Sequence, residues 1–444
     1  MKEPSFKRIL AGQLYDPHLL KLLPNRVIVV DRDTGLITSV DTFTPSYADA
    51  ALSDPHTIDL RHLTVCPGLV DVHVHFFLHS YAETSWEDQL TKESLAERTV
   101  RATVHARQTL MAGYTAVRDL GTEGAEDADI ALRKCLSGPG ALIPGPRYFT
   151  ANRAIVSTGS YGPRSSLFPS KEGVEGVVGA EAADGTTECM RVVRKQIGAG
   201  ADWIKIYADY PIRSRLADVS PRLAGRAIAT FSREELQALI DTAHRAGIKV
   251  AAHAKTAPVI KELLALGVDS LEHGSDIYTS PEIIKTLVSP GCKTVWVPTL
   301  AAYYSSRERN PAGWEASEQS FRAVLAAGLG NIAIACGGDT GVFPHGQNAL
   351  EMELMVLLGA PWKWVLRWAT LGGWEAIRGY EAVDSSQTTI GDNAVPFGSI
   401  RPGWAADLVG FRGDLASDFG QTVRRVEFVM KAGRVHKHGG TEIA

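Results

Sequence analysis

The chain has 444 residues, 45% hydrophobic and 22% charged, and its 46 Lys and Arg against 50 Asp and Glu leave a formal charge of -4. That composition excludes a disordered chain and a basic nucleic-acid surface, and no apolar run reaches the ~18 residues of a membrane helix. The length exceeds what one core organises, which predicts a large α/β barrel, alone or with a second module.

The N-terminus, Met-Lys-Glu-Pro-Ser-Phe-Lys-Arg, lacks the apolar stretch of a secretory signal. Five Cys without C-x-x-C spacing argue against a disulfide framework or a Cys zinc site, and predict a reducing, cytoplasmic compartment. Residues 26–30 (RVIVV), a turn at 31–35 and residues 36–40 read as a β-hairpin. The middle of the chain alternates. Short β-branched or apolar runs at 69–75, 114–120, 147–155, 203–207, 250–253, 270–273, 294–300 and 332–336 are separated by helical patterns. In residues 233–246 the apolar Leu236, Leu239, Ile240 and Ala243 fall at helical spacing, with Ser232 as N-cap, Glu235 three residues on and Gly247 as the stop. Pro361 with Trp362, Trp364 and Trp368 opens another amphipathic helix. Beyond Gly403, residues 406–411 and 426–435 return to strand, Gly turn and strand. Eight strands alternating with helices predict a (β/α)8 TIM barrel over residues 66–389. Both termini, 1–65 and 390–444, then supply one small β-sandwich, since neither end has enough apolar residues for its own core. A doubly wound sheet competes, but no G-x-G-x-x-G follows the first strand.

The chemistry concentrates at the predicted strand ends. In Asp71-Val72-His73-Val74-His75 the two histidines lie two apart, so both imidazoles face one side, which is half of a zinc site. Lys205 sits inside Trp203-Ile204-Lys205-Ile206-Tyr207, where an inward ammonium is costly without a partner. His253 ends Val250-Ala251-Ala252-His253, His273 ends Leu271-Glu272-His273, and Asp339 follows residues 334–338. A capping Asp, a snorkelling Lys or a core His explains each singly. Five strand ends carrying H-x-H, Lys, His, His and Asp together point to a metal site at the C-terminal face of the barrel.

These motifs resemble the amidohydrolase superfamily in its binuclear-metal branch. The resemblance spans nearly the whole chain. It rests on residues 66–75 (CPGLVDVHVH), 267–274 (GVDSLEHG), Gly338-Asp339-Thr340-Gly341 and 402–409 (PGWAADLV). Pro344-His345-Gly346 adds similarity to the imidazolonepropionase-like group, with its Xaa-Pro dipeptidases and ochratoxin-type amidases. The resemblance implies two divalent ions, taken as zinc, although such ligands also accept manganese, cobalt or iron. His73, His75 and Asp339 would hold the more buried ion and His253 and His273 the more exposed one. Lys205, carboxylated to a carbamate, would bridge both. A hydroxide bridging the metals would attack the carbonyl, with Asp339 as general base and then acid.

The implied reaction is hydrolysis of an amide or peptide-like C–N bond, of N-acyl amino acid or dipeptide type. A cyclic amide, a lactone or a phosphotriester on the same site is the alternative, and a non-catalytic barrel scaffold is the competing class. Lys205, and the absence of an acid just after His253, disfavour mononuclear deamination. The substrate-contact candidates are Tyr207, Tyr161, His345 and Arg118. Many relatives have His where this chain has Tyr161. Tyr303 and Tyr304 are read mainly as packing residues. The expected partners are a small-molecule substrate and further copies of the chain, with no nucleic acid or membrane.

Overall fold

The computed structural model describes residues 6–138, 140–161, 179–211, 227–330, 332–378 and 393–443. Strands from both ends of the chain join one eight-stranded sheet. Its order is Ile37–Thr42, Lys21–Asp31, Phe6–Asp16, Thr57–Pro67, Leu408–Phe411, Val426–Lys431, Arg434–His438 and Thr441–Glu442. Phe6–Asp16 and Thr57–Pro67 pair in parallel, and the other neighbours are antiparallel. The predicted hairpin sits within it, with Ile28 opposite Val40. The sheet curls until its two hairpin turns touch. A Cβ on Gly35, whose φ is +69°, would lie 2.4 Å from the Ala432 carbonyl oxygen, so only glycine fits there. Ile9, Ile28, Leu60, Val65, Phe428 and Met430 form the enclosed core.

Gly68 alone separates the long strand Thr57–Pro67 from the first barrel strand, Leu69–Val74. The barrel continues through Tyr114–Asp119, Arg147–Thr150, Trp203–Tyr207, Lys249–Ala254, Ser270–His273 and Val295–Val297, all running parallel. The predicted eighth strand is reduced to bridges. Ile334 pairs with Trp296, Thr340 with Val74, and Val72 N–H donates to the Cys336 carbonyl at 2.9 Å, which closes the ring. The predicted third run is likewise split into Arg147–Thr150 and Ile155–Val156, because Asn152 takes a left-handed φ of 60° between them. The reading of 294–300 as strand ends at Val297, after which Leu300–Ser305 is helix.

Helices cover the barrel. Arg233–Arg245 begins with the capping box of Ser232 and Glu235, buries Leu236, Leu239, Ile240 and Ala243, and is followed by Gly247 at φ +73°. The fold is therefore a TIM barrel with a small β domain. The expected boundary at 389–390 falls outside the described residues. Sheet and barrel are joined by the buried pair of Arg147 and Asp407, Nε to Oδ2 2.7 Å. Among the described residues no helix is long and apolar enough to cross a membrane.

Candidate metal centre

The first barrel strand delivers His73 and His75 to the C-terminal mouth, where both line a pocket of about 230 Å³. Each ring is oriented by its Nδ1. That of His73 lies 2.8 Å from Glu272 Oε2, and that of His75 lies 2.9 Å from the Gly121 carbonyl oxygen. His273 Nδ1 meets Thr299 Oγ1 at 2.8 Å, and Thr299 donates its own proton to the Pro298 carbonyl. Each Nδ1 must therefore carry the hydrogen, which leaves the Nε2 lone pairs for the pocket.

Asp339 completes the cluster. Its φ is 63°, its N–H donates to the His73 carbonyl at 2.8 Å, and its Oδ1 lies 3.3 Å from His75 Nε2 and 3.6 Å from His73 Nε2. Ligand atoms of His73, His273 and Asp339 all lie within 4.8 Å of one another. His253 packs 4.3 Å from His273, ring centre to ring centre, and its buried Nε2 has no hydrogen-bond partner among the described residues. Lys205 is 1% exposed, and its Nζ is 5.5 Å from the centre of the Tyr207 ring.

The electrostatics ask for a cation. Burial holds His73, His253 and His273 well below the usual imidazole range, so they are neutral donors of lone pairs. Burial also acts to lower His75, but the Asp339 carboxylate outweighs it and pushes His75 up to about 9. Burial acts to raise Asp339, and the neighbouring His73 and His75, with Lys205, hold it below the usual carboxylate range. Two acceptors 3.3 Å apart need a proton or a metal ion between them. Converging imidazole lone pairs, an orphaned buried nitrogen and a carboxylate fit a divalent ion. Burial lowers the Lys205 ammonium to about 8, against the pull of Glu272 and Asp339.

The substrate-contact candidates divide. Tyr161 and Tyr207 line the pocket with the histidines. Arg118 does not, and its assignment is corrected. It is fully buried inside the barrel, donating to the Val72 carbonyl at 2.7 Å, Ser270 Oγ at 3.1 Å and Glu272 Oε1 at 2.8 Å. Its charge balances the carboxylate that orients His73. His345 is also corrected. Its Nε2 is 2.8 Å from the Leu78 carbonyl, its ring stacks on His105, and it faces other surface clefts. Tyr303 enters the pocket wall, whereas Tyr304 packs on Trp314.

Sequence reasoning missed the pocket roles of Glu123, Trp86, Tyr210, Lys255 and Asn310, and the orienting role of Glu272. For Lys255 a signal existed, since it stands two residues past His253. Glu123 follows the second strand, a functional place in such a barrel.

Comparison with known proteins adds independent support. The family model described as "Amidohydrolase family" matches residues 64–383. Ochratoxinase of Aspergillus niger is 28% identical over 397 residues, covering 84% of this chain and 76% of the relative. A solved Xaa-Pro dipeptidase with methionine bound in its active site is 27% identical, with a TM-score of 0.79 over 98% of this chain and 100% of that one. The solved A. niger ochratoxinase superposes with a TM-score of 0.74 at 24% identity over 98% of this chain and 96% of that one, a likeness of fold.

Proposed function

The chain belongs to the amidohydrolase family, and on that premise we propose that it hydrolyses an amide of the dipeptide or N-acyl amino acid type. Metal-dependent hydrolysis of a C–N bond is the activity the family match and its relatives support. One observation carries the finer reading: four imidazoles and a carboxylate line a single pocket, with the buried Lys205 close enough for its charge to act on His73, His273 and Asp339.

We assign two ions to this floor, zinc being the choice that suits the imidazoles. His73, His75 and Asp339 would hold one, and His253 and His273 the other. Lys205 would add to carbon dioxide, forming an N–C bond and releasing a proton. The resulting carbamate would be anionic, so Lys205 would supply oxygen donors to cations that its ammonium would repel. Divalent ions in such a site polarise a carbonyl and lower the pKa of water.

The chain's own groups supply the rest. Asp339, ionised and beside His75, takes the proton from the attacking water and passes it to the departing nitrogen. Glu272 and Thr299 keep the His73 and His273 rings aimed through the cycle. Lys255, on the wall beyond His253 and above the Tyr303 ring at 5.6 Å, is the cation that meets a substrate carboxylate. It takes the role that Arg118 cannot fill. The compartment proposed with this function is the reducing cytoplasm, on the sparse cysteines without C-x-x-C spacing.

Metal analysis and a substrate panel test this. About two ions per chain and cleavage of dipeptides or N-acyl amino acids are expected, with activity lost on chelation. Asp339→Asn should keep most of the metal while turnover falls roughly 10²-fold or more, the range of general acid–base effects. A metal-free chain favours a scaffold. Turnover of lactones or phosphotriesters alone would replace the amide.

A further inference from the structure

Behind the tyrosines of the pocket lies a carboxylate that the hydrolytic chemistry leaves unused. Glu123 is 2% exposed, takes a left-handed φ of 49° and borders the pocket. Its Oε2 accepts from Trp86 Nε1 at 3.0 Å and from the Tyr161 hydroxyl, while Oε1 has the Tyr207 hydroxyl at 3.4 Å. Among the described residues it makes no ion pair. The Arg98 guanidinium nearby is directed at the carbonyls of Phe77, Thr122 and Glu123 itself. The rings form a continuous wall in front of it: Tyr161 stacks on Tyr207 at 4.7 Å, with Tyr210 and Trp86 edge-on to Tyr161 at 4.9 and 5.3 Å.

Such a wall has a definite preference. Aromatic faces and an anion both attract a cation. The Tyr161 hydroxyl proton already points to Glu123, so it is not offered to a substrate carboxylate. The wall also lies close to the reacting centre. A Cβ added to Gly121 would be 3.5 Å from Glu123 Oε1 and 3.7 Å from His75 Cε1, so the carboxylate and the His75 ring both border that glycine. Lys255 belongs to a different wall, beyond the fifth strand.

We propose that the Trp86, Tyr161, Tyr207 and Tyr210 wall around Glu123 is an ammonium subsite, so that the substrate carries a free amino group beside the scissile carbonyl. Within the amide reading, on which this rests, it selects a dipeptide with a free N-terminus over an N-acyl amino acid. Glu123 is a specificity determinant, and Lys255 receives the carboxylate of the departing residue.

The test uses the metal-loaded protein with alanyl-leucine and propionyl-leucine, which differ only in the α-amino group. A charge-assisted contact predicts ~10-fold or greater preference in kcat/KM for alanyl-leucine. Glu123→Gln should erase most of that ratio, and Glu123→Asp, which keeps the charge, should retain more of it. Equal cleavage of the two substrates by the unmodified protein overturns the subsite, and that comparison needs no variant. A Glu123→Gln loss shared equally by both substrates overturns the assignment to Glu123, leaving it a structural group. A protein inert to every amide removes the amide reading itself, an outcome distinct from either.

Discussion

Arg118, Glu272 and His73 form a hydrogen-bonded line through the barrel interior. The guanidinium holds one oxygen of Glu272 and the His73 ring the other, with all three side chains buried. A metal-ligating histidine is commonly fixed in this way by a carboxylate. Arg118→Met strands the Glu272 charge without its cation, and breaking a buried pair from one side costs about 3–5 kcal/mol. The urea midpoint of the variant should fall accordingly, while any preference for acid over methyl ester among surviving molecules stays as in the wild type. A selective loss of acid substrates would return Arg118 to the pocket.

At the level of elements, the site is built where strands stop. His273, Thr299 and Asp339 have φ of 74°, 50° and 63°, a conformation side chains adopt at a cost of roughly 1–3 kcal/mol each. At adjacent strand ends this backbone turns His273 and Asp339 into one pocket and sets the Thr299 hydroxyl behind the His273 ring. The outer helices carry ordinary stabilising devices instead. Glu235 closes the capping box on the Ser232 N–H at 2.7 Å and also accepts from the Gly185 N–H at 2.7 Å, tying together the starts of two neighbouring helices. Ser232→Ala should cost ~1 kcal/mol in denaturant unfolding. Glu235→Ala should cost more, because two helix N-termini lose an acceptor. Neither should change kcat/KM, since these groups lie on the outside of the barrel.

Over the whole molecule, sheet and barrel meet at a charged junction. Beside the Arg147–Asp407 pair, Lys431 of the sheet donates to the barrel carbonyls of Gly145 at 2.5 Å and Leu136 at 3.2 Å. Burial, reinforced by Arg147 and opposed by Asp407, lowers its pKa from 10.5 to about 7. The unfolded chain thus holds this proton up to about 10.5, and the folded chain releases it near 7. Between those values the unfolded state binds more protons, so this group adds stability as pH rises, by at most ~1.4 kcal/mol per pH unit. Lys431→Met removes that contribution. The gap in melting temperature between wild type and variant should therefore shift in favour of the wild type from pH 6.5 to pH 9. A gap independent of pH would show that Lys431 titrates normally.

What the sequence by itself determined was local. A period of two puts His73 and His75 on one side of a strand, the spacing of Leu236, Leu239, Ile240 and Ala243 makes one helix face, and β-branched runs at both ends make strands. Those rules say which way a side chain points, not what it meets. Arg118 and Glu272 stand 154 positions apart, and Glu123 and Tyr207 stand 84 apart. Only closure of the barrel brings such strand ends together, and it decided that Arg118 serves His73 while His345 turns away to Leu78. In the pocket walls, the period of two past His253 points Lys255 to the mouth, whereas the meeting of Glu123 with Trp86, Tyr161 and Tyr207 follows from tertiary packing, which no local periodicity encodes.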